Sequence, residues 1–160
     1  MNLMDGKKYA LKGHCRWMLR ADLESVLRIE KESFEFPWLR DDFIKCLRHR
    51  NAIGMVFQLP VDCGVLDIAG FMIYSLGKTK IELLNFAVEK ELRRRFIGKQ
   101  MMDKLKGKLT SGKRTVIFTR VRESNLEAQL FFRDQGFLAI KVLKNSFDNL
   151  EDAYLFEYFL

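Results

Sequence analysis

Asn85-Phe-Ala-Val-Glu-Lys-Glu-Leu-Arg-Arg-Arg-Phe-Ile-Gly-Lys-Gln100 joins two kinds of periodicity. Upstream of it, Ile81–Val88 is a β-branched, leucine and aromatic run that reads as a strand. Downstream, Met101, Met102, Leu105 and Leu109 fall at helical spacing and predict a helix to about Lys108, ended near Ser111-Gly112. The junction holds Arg93, Arg94, Arg95, Gly98 and Lys99. A helix N-terminus carries free backbone N–H groups and the positive end of the helix dipole, so arginines placed there make a site for a pyrophosphate.

Working outward, His14–Arg20 reads as a first strand, followed by an amphipathic helix over 21–30 with apolar residues at 23, 26, 27 and 29. Phe34-Glu-Phe-Pro-Trp38 is an aromatic connection broken by proline, and Leu39, Phe43, Cys46 and Leu47 give a second helix over Leu39–Arg48. Ile53–Leu59 and Asp67–Ser75 form a hairpin across Pro60-Val-Asp-Cys-Gly64, and Ile81–Val88 extends it into an antiparallel meander. Beyond the basic helix come a strand at Thr115–Val121 and a helix at Ser124–Asp134, capped by Ser124 or Asn125 and closed by Gly136. Strands at Phe137–Leu143 and Ala153–Phe159 complete the order β-α-α-β-β-β-α-β-α-β-β. No repeat and no Gly/Ser/Pro linker interrupts it, so the chain reads as one α/β domain.

Composition agrees. The chain has 160 residues, 48% of them hydrophobic, with only 2 Pro and 10 Gly, which supports a core and argues against disorder. No apolar run approaches the roughly 20 residues needed to cross a bilayer, and the N-terminus lacks the apolar stretch of a secretory signal. Cys15, Cys46 and Cys63 are too widely spaced for a metal knuckle or a disulfide framework, so the expected setting is a reducing cytoplasm, with no metal and no membrane. His14 and His49 have no nucleophile at a triad spacing, which disfavours a triad hydrolase. The charge of +7 admits nucleic acid, an acidic protein or an anionic small molecule. No aromatic-interleaved basic sheet is present, so a specific nucleic-acid role is not expected.

Together these features resemble the GNAT acetyltransferases. The basic turn is similar to that family's coenzyme-A loop, Gln/Arg-x-x-Gly-x-Gly/Ala, after the fourth strand. The likeness runs from Arg16 to Tyr158 and lies nearest the bacterial ribosomal-protein alanine N-acetyltransferases. Asn85-Phe-Ala-Val88 resembles the branch's Asn-Ile-Ala-Val. Val121-Arg-Glu-Ser-Asn125 resembles its Val-Arg-x-Ser-Asn, and Phe131-Phe-Arg-Asp-Gln-Gly-Phe137 its Leu-Tyr-x-x-x-Gly-Phe. Glu151-Asp-Ala153 and Phe36-Pro-Trp38 match the branch outright. The resemblance implies one GNAT-like domain, α/β of α+β type, with a mixed, mostly antiparallel sheet of about seven strands, about four helices, and residues 1–13 as an N-terminal extension. It implies acetyl-CoA as co-substrate and a protein N-terminus, such as that of a ribosomal protein, as acceptor; a lysine or a small amine is the alternative.

On this resemblance Phe86, Ala87, Val88, Arg93, Arg94, Arg95, Phe96, Ile97, Gly98, Lys99, Asn125 and Phe132 form the coenzyme site, and Phe36, Trp38, Asn145, Ser146 and Phe147 border the acceptor entrance. Three positions depart from the pattern. Phe96 stands where the loop's first glycine is expected, where backbone approaches ligand closely; starting the motif at Arg95 instead is disfavoured by the distance from Val88. Arg120 replaces the glutamate base of the fifth strand, and Phe132 replaces the tyrosine that protonates the departing thiolate. Arginine is no general base. Glu82, six residues before Val88, occupies the place where the histone-acetylating branch keeps its base, and becomes the candidate here. A thiol with a pKa of about 8.5 leaves as thiolate without an acid. The competing reading is a GNAT-fold protein that binds acyl-CoA or a partner with weak or no catalysis.

Overall fold

The computed structural model describes residues 10–60 and 67–160. Most of the anticipated extension, and most of the loop between the first two meander strands, lie outside the described residues. Seven strands, β1 (His14–Trp17), β2 (Ala52–Gln58), β3 (Ile68–Leu76), β4 (Lys80–Val88), β5 (Val116–Arg122), β6 (Leu138–Leu143) and β7 (Ala153–Phe159), form one sheet in the order β1-β2-β3-β4-β5-β7-β6. Only β4 and β5 are parallel neighbours in that sheet. The helices are α1 (Leu23–Ser33), α2 (Arg40–Leu47), α3 (Ile97–Lys106) and α4 (Leu126–Asp134). None is long and apolar enough to cross a membrane.

The expected element order is observed, with one element shortened. β1 stops at Trp17 instead of Arg20, because the Asp22 carboxylate accepts the Leu19 N–H at 2.7 Å and both terminal nitrogens, Nη1 and Nη2, of Arg16, winding Arg20–Asp22 into a 3-10 turn. Gly136, at φ 86°, ends α4 in the left-handed conformation that glycine adopts without strain.

Two layers of helix sandwich the sheet. On one face Leu23, Val26 and Ile29 of α1 and Phe43 of α2 pack on Val56, Phe71 and Ile73. On the other, Met101, Met102 and Leu105 of α3 and Phe132 of α4 pack on Met72, Ile81, Leu83 and Ile117. Because α1 and α2 cover the β2 to β4 side of their face, Phe118, Arg120 and Leu155 farther along it line an open trough.

Two irregularities of β4 shape the centre. First, its pairing with β3 skips Leu84: Tyr74 faces Leu83 and Ile73 faces Asn85. The extra residue is a β-bulge, so Ile81 and Leu83 before it and Phe86 and Val88 after it all turn toward α3 and α4. Second, the parallel ladder between β4 and β5 ends at Glu82 and Phe118. The Thr119 hydroxyl donates to the Leu83 carbonyl at 2.9 Å, and beyond that the strands separate, leaving Leu84–Val88 without a ladder on its β5 side.

Candidate active site

The split between β4 and β5 is the centre of the site, and the chain emerging from its far end is what the sequence singled out. Arg94 and Phe96 sit at φ 59° and 64°, and α3 begins immediately after Phe96. A left-handed residue followed by a helical one turns successive N–H groups toward one point, a concave anion seat. Among the described residues no acceptor takes the backbone N–H groups of Arg94 to Lys99, and the first turn of α3 holds no acidic side chain. Gly98 packs tightly, since a Cβ there would lie 3.0 Å from the Phe131 ring, which would have to shift by a few tenths of an ångström, and 3.7 Å from Val88. Phe131 stacks in turn on Phe86, ring centroids 5.3 Å apart, walling the split on the α3 and α4 side.

Phe96, where the resembled pattern has glycine, takes a left-handed backbone, and its ring points outward, 54% exposed. A left-handed non-glycine residue costs about 1–2 kcal/mol. Phe96→Gly therefore raises the unfolding free energy by up to about 1 kcal/mol in urea denaturation, whereas removing a buried phenylalanine ring costs about 3–5 kcal/mol.

The three arginines of the turn differ. Arg93 turns inward: Nε donates to the Val88 carbonyl at 3.1 Å and Nη2 to the Ser33 hydroxyl at 3.0 Å, so it braces the end of β4 against α1. Arg94 and Arg95 make no side-chain ion pair among the described residues and stand free for an anion. Asn125 caps α4 through Oδ1, which accepts the Ala128 N–H at 3.1 Å, leaving its amide nitrogen available. Phe132 is buried among Phe131, Phe137 and Phe156 and contributes apolar surface only.

At the throat of the split lies Glu82, on the last rung of the parallel ladder. Its carboxylate is 3.6 Å from the Arg120 guanidinium of β5. Both face a trough of about 490 Å³ that also holds Lys80, Phe118, Lys141, Leu143, Leu155 and Glu157. Glu82 thus stands on the strand next to β5, in contact with the arginine at position 120.

The acceptor residues separate into two groups. Phe36, between α1 and α2, and Phe147, between β6 and β7, both lie on the Arg122 guanidinium, at 4.7 and 3.8 Å. Trp38 instead packs its ring on Phe43, 5.3 Å away, and anchors its loop. Asn145 and Ser146 act through backbone: the Asn145 N–H donates to Asp152 at 2.9 Å and the Ser146 N–H to the Glu151 carbonyl at 2.9 Å.

Three residues of this region went unassigned in the sequence reading. Arg122 lies inside the quoted Val-Arg motif. Glu151 accepts from the Ser124 hydroxyl and N–H and from Arg122, bonds that hold its carboxyl down to about 2. Glu30 is buried on α1, where its two oxygens accept the Trp38 N–H at 2.7 Å and the Asn85 amide at 2.9 Å. Burial, with no cationic partner among the described residues, pushes Glu30 up to about 7. The sequence signal for Glu30 was an acidic residue on the apolar stripe 23, 26, 30.

A model of the acetyltransferase (GNAT) family matches residues 23–137. The [ribosomal protein bS18]-alanine N-acetyltransferase of Escherichia coli strain K12 is 26% identical over 137 residues, 84% of this chain and 88% of that protein. The crystal structure of Ard1 from Thermoplasma volcanium superposes with a TM-score of 0.80 at 25% identity, covering 92% of this chain and 97% of that one. Arabidopsis thaliana NAA60, solved in complex with acetyl-CoA, gives a TM-score of 0.76 at 18% identity over 93% of this chain and all of that one.

Proposed function

From the premise that this chain belongs to the GNAT acetyltransferase family, we propose that it transfers an acetyl group from acetyl-CoA to the N-terminal amine of a protein, a ribosomal protein being the leading acceptor. The observation that carries this reading is the unpaired edge of β4, Leu84–Val88, which runs from Glu82 at one end to the free N–H groups of Arg94 to Lys99 at the other. An extended ligand bearing amides lies along such an edge as a missing strand does, with its phosphates on the N-terminus of α3. The alanine N-acetyltransferase relative from Escherichia coli and the acetyl-CoA-bound Arabidopsis neighbour support the same assignment.

The chemistry is a direct transfer. Glu82, through a water, takes a proton from the attacking amine; the amine nitrogen bonds to the thioester carbonyl carbon, and a backbone N–H of the unpaired edge near Val88 receives the oxyanion. The carbon–sulfur bond then breaks and CoA leaves as thiolate, with no hydroxyl required at Phe132. Holding both reactants on one rigid strand supplies much of the rate.

Arg94, Arg95 and Lys99 offer charge to the phosphates, Ile97 and Gly98 offer N–H groups, and Asn125 offers its amide to the pantetheine arm. Arg93 acts indirectly, by fixing the end of β4. Arg120 in place of a glutamate and Phe132 in place of a tyrosine favour the second reading, an acyl-CoA-binding protein with weak catalysis.

Incubation with acetyl-CoA and two peptides, one with a free alanine N-terminus and one with a blocked N-terminus and an internal lysine, separates these readings. The expected product, by mass spectrometry, is the first peptide carrying one acetyl group on its α-amine. Acetylation of lysine alone overturns the acceptor class, and acetyl-CoA binding by calorimetry without turnover establishes the binding-protein reading.

A further inference from the structure

The acceptor entrance is crossed by a stack that the composition of either loop does not reveal. Arg122 projects from β5 into the open face of the sheet, on the same side as Phe118 and Arg120 and two residues beyond Arg120. Its guanidinium lies between the Phe36 ring at 4.7 Å and the Phe147 ring at 3.8 Å, which come from loops on opposite sides of the entrance. The group cannot swing freely. It donates to Glu151 at 2.9 Å and to Asn149 at 3.0 Å, and Glu151 is itself fixed by the Ser124 N–H. Asn145 and Leu150, both at positive φ (49° and 63°), bracket Phe147 in a turn closed by the Leu150 N–H on the Phe147 carbonyl at 2.8 Å.

We propose that Arg122, clamped between Phe36 and Phe147, sets the width of the acceptor entrance and discriminates against acceptors whose first side chain is bulky. This inference rests on the acetyl-transfer reading given above. Along β5 Arg122 lies two residues, about 7 Å of backbone, beyond Arg120, whose partner is Glu82, so an amine that reaches Glu82 carries its first side chain past the stack. The planar guanidinium fits two ring faces at once as an ammonium does not. Opening the stack for a large side chain gives up both contacts, whereas a side chain of one carbon passes without disturbing them.

The test compares kcat/KM for two peptides that differ only in a first residue of Ala or Leu. The ratio favours Ala in the parent protein and falls about tenfold in Arg122→Ala, through a lower KM for the Leu peptide, with the acetyl-CoA Kd unchanged. Arg122→Lys, which keeps the pairing with Glu151 but lacks the plane, shifts the ratio the same way and serves if the alanine variant does not fold. A parent protein inactive on both peptides overturns the acetyl-transfer reading. Active variants in which both peptides slow equally, leaving the ratio unchanged, overturn the role of Arg122 alone.

Discussion

Replacing Glu82 by glutamine lowers kcat for acetyl transfer about 100-fold or more, the usual contribution of a positioned general base, while acetyl-CoA binding is unchanged. Glutamine keeps the shape of the side chain and still accepts a hydrogen bond, but takes no proton from the attacking amine. The two effects separate because Glu82 lies at the throat of the split and the anion seat at the start of α3 lies beyond the other end of β4. Stability changes little, since the one ion pair lost among the described residues is that with Arg120, at 3.6 Å and 48% exposed on the arginine side. Steady-state kinetics beside calorimetric titration read both quantities, and a kcat equal to that of the parent protein removes Glu82 as the base.

Glu30→Gln makes the protein more stable at pH 8 and leaves it equally stable near pH 4. In the folded chain the carboxyl is pushed from its ordinary 4.5 up to about 7, chiefly by burial, with the hydrogen bonds from Trp38 and Asn85 opposing the shift and the charge of Asp42 adding to it. Between these two values the folded state holds a proton that the unfolded chain has released, so stability falls as pH rises through that window. The loss is complete above about pH 7 and amounts to about 3 kcal/mol. Glutamine carries no charge to bury. Its oxygen accepts the Trp38 N–H, and the Asn85 amide turns so that its oxygen meets the new NH2. Urea unfolding at pH 4 and pH 8 tests this: a variant less stable than the parent at pH 8 shows that the ionised carboxylate, with its two donors, is the favoured form.

The stretch around Asn85–Gln100 was legible because strand periodicity, helix periodicity and a run of arginines meet there, and each survives folding. Features set by contacts between distant segments were not. The clamp on Arg122 depends on Phe36 and Phe147, which lie in loops far from it in the chain. Periodicity treats glutamate as a solvated residue, so Glu30 passed unread although it shares a stripe with Leu23 and Val26. Likewise the inward turn of Arg93 is decided by the Val88 carbonyl and Ser33, not by its neighbours in the arginine run. At Phe96 the pattern spoke of a missing glycine; the backbone adopts the left-handed geometry regardless, because the ring has solvent to point into.

The bulge at Leu84 makes the pairing register of β4 a form of information separate from its composition. Every residue from Asn85 onward faces the side it does because one residue is passed over in the pairing with β3, so drawing Leu84 into the regular pleat, with no residue removed, would exchange the two faces beyond it. Phe86 and Val88 would leave the wall of the split for the layer under α1, and Asn85 would lose Glu30. Side chains along this strand are therefore open to exchange by redesign or by drift, but the point at which its pairing passes over a residue is closed to both.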